Sequence, residues 1–335
     1  MPELNKRGIA RGMIALSAAL ILGIQAAACA PPGEGESESK DKAGTLTIGV
    51  KPTDSDAQII YAQELGYFKE AGLNVKVKQI ADGATIVSGV ASKSLDIGSA
   101  NVTSVATSYS EGLPFKFIGA GSMYDDAGPI SAALIVGKDS KVKSAADLNG
   151  KTVAVNGLKN ITDVAVRAWA DKNGGDSSKI KFVEFPFPQM SSAVDQGKVD
   201  AALNLEPGLS AATTTCCKIL GKAYGGIAKN FMTSGWVATD EWIKKNPDEA
   251  KKFAEVMAKT AKWANQEKNQ KRSAEILVDN LDIEAKTANS MQRAVYGESV
   301  DPELVQPQIE TATKYKIIEK SFDAEKIISS KVTSE

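Results

Sequence analysis

Part of this chain is written twice. Thr152-Val153-Ala154-Val155 repeats the pattern of Thr47-Ile48-Gly49-Val50, 105 residues downstream. Ile180-Lys181-Phe182-Val183-Glu184-Phe185 repeats Val75-Lys76-Val77-Lys78-Gln79-Ile80 at the same spacing of 105. Val194, Asp200 and Ala201 then match Val90, Asp96 and Ile97 at 104. Any two βαβ segments share composition, but three blocks in order at a nearly constant offset point to two copies of one unit.

The unit alternates strand and helix. Leu46–Val50 is a short apolar strand ended by Pro52, and Ala57 to Ala71 has helical spacing that stops at Gly72. Leu73 to Ile80 reads as a strand broken at Asp82-Gly83, Val87 to Ser92 as a helix, and Leu95 to Ala100 as a strand again. Strands separated by helices predict an α/β fold of two lobes, each a mostly parallel sheet flanked by helices. Parallel sheets bind ligands at the carboxyl ends of their strands, near helix N-termini. Two such lobes joined by a hinge enclose one cleft that closes around its occupant. The last third reads as helical scaffold. Asn246-Pro247-Asp248-Glu249 starts a helix whose Phe253, Met257, Ala261 and Ala264 face a core, and Ser273 to Leu281 and Glu284 to Ala294 read similarly.

The first residues read as targeting sequence. Lys6, Arg7 and Arg11 precede an apolar run from Met13 to about Ile24, then Ala26-Ala27-Ala28-Cys29. The run is shorter than the roughly 20 residues of a spanning helix, so residues 1–29 read as an export signal. Cys29 after three small residues is similar to a lipoprotein processing site, although Ala26 stands where leucine is commoner. Ordinary cleavage in the same stretch is the alternative. Pro31 to Lys42 contains no apolar residue except proline, and residues 30–44 read as a disordered tether. The expected organisation is therefore 1–29 signal, 30–44 tether, 45–130 with 240–335 as lobe 1, and 131–239 as lobe 2.

Chemistry is conspicuous by what is missing. The chain has no histidine, which removes Ser-His-Asp and Cys-His catalysis and imidazole bases. No phosphate-loop or dinucleotide motif follows a strand. Cys216 and Cys217 have no metal-type spacing and read as small packing residues. A net charge of −1, with acids and bases interspersed, gives no footprint for nucleic acid. The acid pairs Asp125-Asp126 and Asp54/Asp56 read as turn residues. No catalytic residue, metal or cofactor is expected.

Several blocks carry a family likeness. Leu46-Thr47-Ile48-Gly49-Val50, then Glu64 to Leu73 (ELGYFKEAGL) and Leu95-Asp96-Ile97-Gly98, resemble the nitrate/sulfonate/taurine-type solute-binding proteins of ABC importers. Ser144 to Val155, Gln196 to Ala202, Glu206-Pro207, Thr239-Asp240-Glu241-Trp242 and Asn246-Pro247 continue the match in order, so it covers about Thr45 to Leu281. The resemblance implies a two-lobed type II periplasmic-binding-protein fold. It also implies a monomer that delivers a small solute to a permease, with ATP hydrolysed by other subunits. With the signal it implies a location at the outer face of the membrane or in the periplasm, held by a lipid on Cys29. The same superfamily includes enzymes making the thiamin pyrimidine with their own histidine and pyridoxal phosphate. This chain departs there: it has no histidine, and Cys216-Cys217 does not extend into a longer cysteine cluster.

The resemblance places the ligand at the strand-end loops that topology already singles out. On lobe 1 these give Thr53, Asp54, Ser55, Gly83, Ser99, Asn101, Ser122 and Tyr124. On lobe 2 they give Asn156, Gly157, Asn160, Thr162 and Glu206, with Trp236 beside them. Helix N-termini there suit an anionic head group. Carboxylates at Asp54 and Glu206 would add an amine partner, so the expected solute is small and anionic or zwitterionic, such as an aminosulfonate or carboxylate. A flat heterocycle, stacked on Phe187, Tyr124 or Trp236, is the alternative. Arg167 is expected to face outward from mid-helix.

Overall fold

The computed structural model describes residues 44–332. The export signal, Cys29 and all of the tether except Gly44 lie outside the described residues. Among the described residues, no helix is long and apolar enough to cross a membrane.

Thirteen strands are described. The first five are β1 (Leu46–Val50), β2 (Val75–Gln79), β3 (Ile97–Asn101), β4 (Phe115–Ala120) and β5 (Ser122–Asp125). Then come β6 (Ala132–Gly137), β7 (Thr152–Val155), β8 (Lys181–Glu184) and β9 (Ala201–Leu205). β10 (Cys217–Gly221), β11 (Asn230–Met232), β12 (Ser234–Thr239) and β13 (Val295–Tyr296) complete the set. They form two five-stranded sheets, β2-β1-β3-β12-β4 and β10-β6-β9-β7-β8, and a small third sheet, β11-β5-β13.

The duplication is physical. In the first sheet β1 lies between β2 and β3, parallel to both, with Ile48 opposite Ile97. In the second, β7 lies between β8 and β9, parallel to both, with Val153 opposite Ala201. The Thr47 amide donates to the Asp96 carboxylate at 2.7 Å, and the Thr152 amide to Asp200 at 2.9 Å. Each acid returns its own amide to that threonine's carbonyl at 2.8 Å.

The expectation of mostly parallel sheets holds, since in each main sheet four strands run one way and a single strand runs against them. β12 enters the first sheet antiparallel to both β3 and β4, and β6 enters the second antiparallel to both β9 and β10. The chain leaves the first sheet through β5 and returns through β11, two antiparallel strands that pair Tyr124 with Phe231. On its return it lays β12 into the first sheet. Ser234–Thr239 therefore belong to lobe 1, a correction to the expected boundary at 239.

Both main sheets are sandwiched by helices. Neighbouring residues Trp236 and Val237 enter different apolar clusters, as do Phe117 and Ile118, so the first sheet is covered on both faces. The helix Pro247–Ala264 supplies buried Phe253, Met257 and Ala261 to one of these clusters. The second sheet has its own cluster around Leu134, Val153, Ala202 and Leu203. The helix expected over Ala57 to Ala71 is split in two, Gln58–Glu64 and Tyr67–Glu70, by Gly66 at φ +75°. The segment Glu284 to Ala294 is helical only over Ala285–Ser290, after which the chain turns out to form β13.

Candidate functional site

Between the carboxyl ends of β1 and β3 on one side, and of β7 and β8 on the other, lies a cavity of about 640 Å³. Three helices begin at its wall: Gly83–Ala91 and Val102–Ser110 from the first lobe and Ile161–Lys172 from the second. Their positive ends converge on one space. Each is capped by a side chain that fixes the loop before it. Asp82 accepts from the Ala84 and Thr85 amides at 3.1 and 3.0 Å. Asn101 accepts from Ser104 at 2.9 Å, and Asn160 from Thr162 at 2.9 Å.

The two walls differ in kind. On the first, Lys51 follows β1 and its ammonium is 2.7 Å from the Asp56 carboxylate and 2.7 Å from the Ser99 hydroxyl. On the second, neutral groups form a cage. The Asn160 amide nitrogen donates to Asn156 Oδ1 at 3.0 Å, and the Thr162 hydroxyl lies 2.8 Å from both amide oxygens. Gly157 makes room, since a Cβ there would meet the Asn160 side chain at 2.7 Å. Glu184, at the end of β8, takes the Leu158 amide at 2.6 Å and also lines the cavity.

The hinge forms the floor. The Ser122 hydroxyl lies 2.6 Å from that of Thr233 and 2.8 Å from that of Ser234. Tyr124 meets Tyr224 edge-on, with ring centroids 5.8 Å apart, and donates its hydroxyl to Asp126 at 2.5 Å. Burial, with Asp126 second, pushes the Tyr124 hydroxyl above the usual tyrosine range, so it stays a donor. With Phe185 and Phe187 these rings give the cavity an aromatic side.

Ser55, Gly83, Ser99, Asn101, Ser122, Tyr124, Asn156, Gly157, Asn160 and Thr162 all line this cavity, as the strand-end reading expects. Four expected residues do not. Trp236 is 1% exposed, donates its indole N–H to Gln58 at 2.8 Å and packs edge-on against Phe253, so it is core. Thr53 is buried beside the wall, its hydroxyl 2.8 Å from that of Ser55. Asp54 and Glu206 turn away into the junction between the lobes, and the carboxylates that do line the cavity are Asp82, Glu111 and Glu184. Arg167 stays outside, paired with Asp163 at 2.6 Å and stacked 4.1 Å over Phe182. Lys51, Glu184, Ser104, Tyr224, Thr233 and Ser234 line the cavity without having been singled out. Lys51 and Glu184 carried a signal, because each stands at the end of a repeated strand.

A sequence model of the family described as NMT1/THI5 like matches residues 55–270. The chain belongs to the NMT1/THI5-like family. Among curated relatives, the taurine-binding periplasmic protein of Escherichia coli is 24% identical over 216 residues, 64% of each chain. The 4-amino-5-hydroxymethyl-2-methylpyrimidine phosphate synthase THI13 of Saccharomyces cerevisiae is 22% identical over 232 residues, 65% of this chain and 66% of its own. The match thus spans less than two thirds of either relative's length. The periplasmic aliphatic sulphonate binding protein SsuA of Escherichia coli superposes with a TM-score of 0.69 at 18% identity, covering 87% of this chain and 94% of its own. The periplasmic nitrate-binding protein NrtA of Synechocystis superposes at 0.71 and 17% identity, covering 87% of each. This NMT1/THI5-like chain therefore has the two-lobed periplasmic-binding-protein fold.

Proposed function

We propose that this protein is the extracytoplasmic solute receptor of an ABC importer, closing over a small anionic or zwitterionic organic solute and delivering it to a permease. The observation that carries this reading is the convergence of three helix N-termini, from both lobes, on one cavity floored by the hinge. Such an arrangement holds an anionic group by backbone N–H donors and lets the second lobe complete the contacts as the lobes close. The cavity residues also suit a second charge of opposite sign. Lys51 is already neutralised by Asp56, whereas Asp82, Glu111 and Glu184 offer acceptors to an amine. The taurine-binding relative supports an aminosulfonate as the solute type. The aromatic side, together with the yeast synthase relatives, favours a flat pyrimidine-like ligand as a second reading.

Binding rather than turnover is the proposed activity. No imidazole is available to move a proton, and the carboxylates with the most perturbed acidity lie outside the cavity. Export by the signal over 1–29, and anchoring through a lipid on Cys29, complete the proposal.

A thermal-shift screen tests the solute: taurine, alkanesulfonates, nitrate, aromatic acids and hydroxymethyl-pyrimidines. A solute present at a hundred times its Kd should add about 2.7 kcal/mol, a shift of several degrees in Tm. A shift with sulfonates supports the first reading, and one confined to pyrimidines replaces it with the second. A flat response across the panel overturns both.

A further inference from the structure

Behind the cavity wall, where the loop after β1 meets the loop after β9, the structure buries two acids that solute binding does not use. Asp54 is 0% exposed and Glu206 2%. The Asp54 amide donates to the Glu206 carbonyl at 3.0 Å, so the pair ties one lobe's loop to the other's. The Asp54 carboxylate accepts from the Ala294 amide at 2.5 Å and the Tyr61 hydroxyl at 3.3 Å, and its carbonyl takes the Tyr296 hydroxyl. The Glu206 carboxylate accepts from the Ser210 amide at 3.0 Å and hydroxyl at 2.7 Å.

Arg293 is the cation whose charge reaches both acids. Its Nε donates to Ser273 at 3.2 Å and one Nη to the Ala288 carbonyl at 2.5 Å. Its buried Nη1 has no hydrogen-bond partner among the described residues. Asp56, the next acid along the loop, is neutralised by Lys51 at 2.7 Å.

We propose that Asp54 and Glu206 form a proton-binding site across the hinge, which couples opening of the two lobes to pH. Two ionised carboxylates against one guanidinium leave a net negative charge in a dry junction. Taking up a proton removes that charge. The alternative relief is for the lobes to part and admit water, so protons favour the closed arrangement.

The acidity of the pair agrees. Burial pushes Asp54 up to about 6, against the pull of Ala294, Arg293 and Tyr61. Burial pushes Glu206 up to about 7, assisted by the charge of Asp54. Both values lie above those of an open or unfolded chain. The stabilisation is therefore complete below the ordinary carboxylate range and is lost as pH rises through about 6 to 7. With no histidine in the chain, little else among the side chains titrates in that window.

The test uses the ligand-free full-length chain, titrated between about pH 8 and 5.5, the range separating ordinary carboxylates from thiols. Potentiometry should show the unsubstituted chain taking up about one proton more over this range than Glu206→Gln, the other carboxylates cancelling in the difference. Small-angle scattering should show the radius of gyration falling over the same range. Glu206→Gln retains an acceptor for Ser210 and should flatten the radius profile. A radius that is constant with pH, or a midpoint unchanged by Glu206→Gln, overturns the proposal. Should the variant not fold, the infrared band of protonated carboxyl in the unsubstituted chain decides. Loss of that band together with expansion supports the site, whereas expansion without it overturns the site.

Discussion

The two main sheets share one plan and differ in what they place at their strand ends. In each, a central strand is flanked by two parallel neighbours, and a Thr–Asp pair closes the same loop, Thr47–Asp96 in the first and Thr152–Asp200 in the second. Beyond that point they diverge. The loop after β1 buries charge: Lys51, Asp54 and Asp56, with Asp54 and Asp56 at 0% and 1% exposure. The loop after β7 has instead the neutral network of Asn156, Asn160 and Thr162. Identical backbone plans thus give one rigid, ionic wall and one adaptable, amide wall. Lys51 and Asp56 neutralise each other inside the lobe, so this part of the wall is fixed before a solute arrives. An amide network can exchange its internal hydrogen bonds for a solute's.

The strongest way to break this contrast is at Asp56. Asp56→Ala strips the partner from Lys51, whose side chain is 11% exposed, and should cost about 3 kcal/mol in a denaturant titration. Replacing both charges together, Lys51→Met with Asp56→Leu, should recover much of that loss, because no uncompensated charge remains. If the double variant is as unstable as the single one, the wall is held by something other than the ion pair.

The shared part of the plan can be tested next. Asp96 also accepts the Trp242 indole N–H at 3.1 Å, whereas among the described residues Asp200 has the solvent-facing Lys151 at 3.3 Å as its further partner. Asp96→Ala should therefore cost about 2 kcal/mol and Asp200→Ala about 1, since bonds to a charged acceptor are worth more when sheltered. Equal losses would mean that the two loops are held alike and that the asymmetry starts only past the strand ends.

The smallest effect on stability is expected in the amide wall. Asn160→Ala removes the cap of the Ile161–Lys172 helix and should cost about 1 kcal/mol. Its effect on solute affinity should exceed this, because the Asn156 oxygen and the Thr162 hydroxyl lose their shared partner. Calorimetry with the solute found in the thermal-shift screen reads the affinity directly. An affinity loss no larger than the stability loss would make Asn160 a cap alone.

The sequence showed the repeated trio because strand registry leaves a nearly fixed spacing, 49 residues from Thr47 to Asp96 and 48 from Thr152 to Asp200. It could not show which sheet receives Ser234–Thr239. That strand is buried at every position, so no alternation marks a face, and nothing in it names its neighbours. The misplacement of Trp236 has the same cause, since a fully buried strand conceals whether a side chain faces core or cleft. Strand-end loops were legible as cavity wall, but only the folded loop separates Ser55, which lines the cavity, from Asp54, which turns into the junction beside Glu206. Lys51 was passed over because a lysine after a strand reads as an exposed end. Its partner Asp56 is five residues on, across a turn that only the fold closes.

The central claim is that one solute is held by both lobes at once. Hydrogen–deuterium exchange on the protein saturated with its solute tests this most directly. Slowed exchange should appear together at the first turns of Gly83–Ala91, Val102–Ser110 and Ile161–Lys172, with the hinge strands β5 and β11 also protected. Protection confined to one lobe, or falling away from these three helix starts, would contradict a receptor that closes over its ligand.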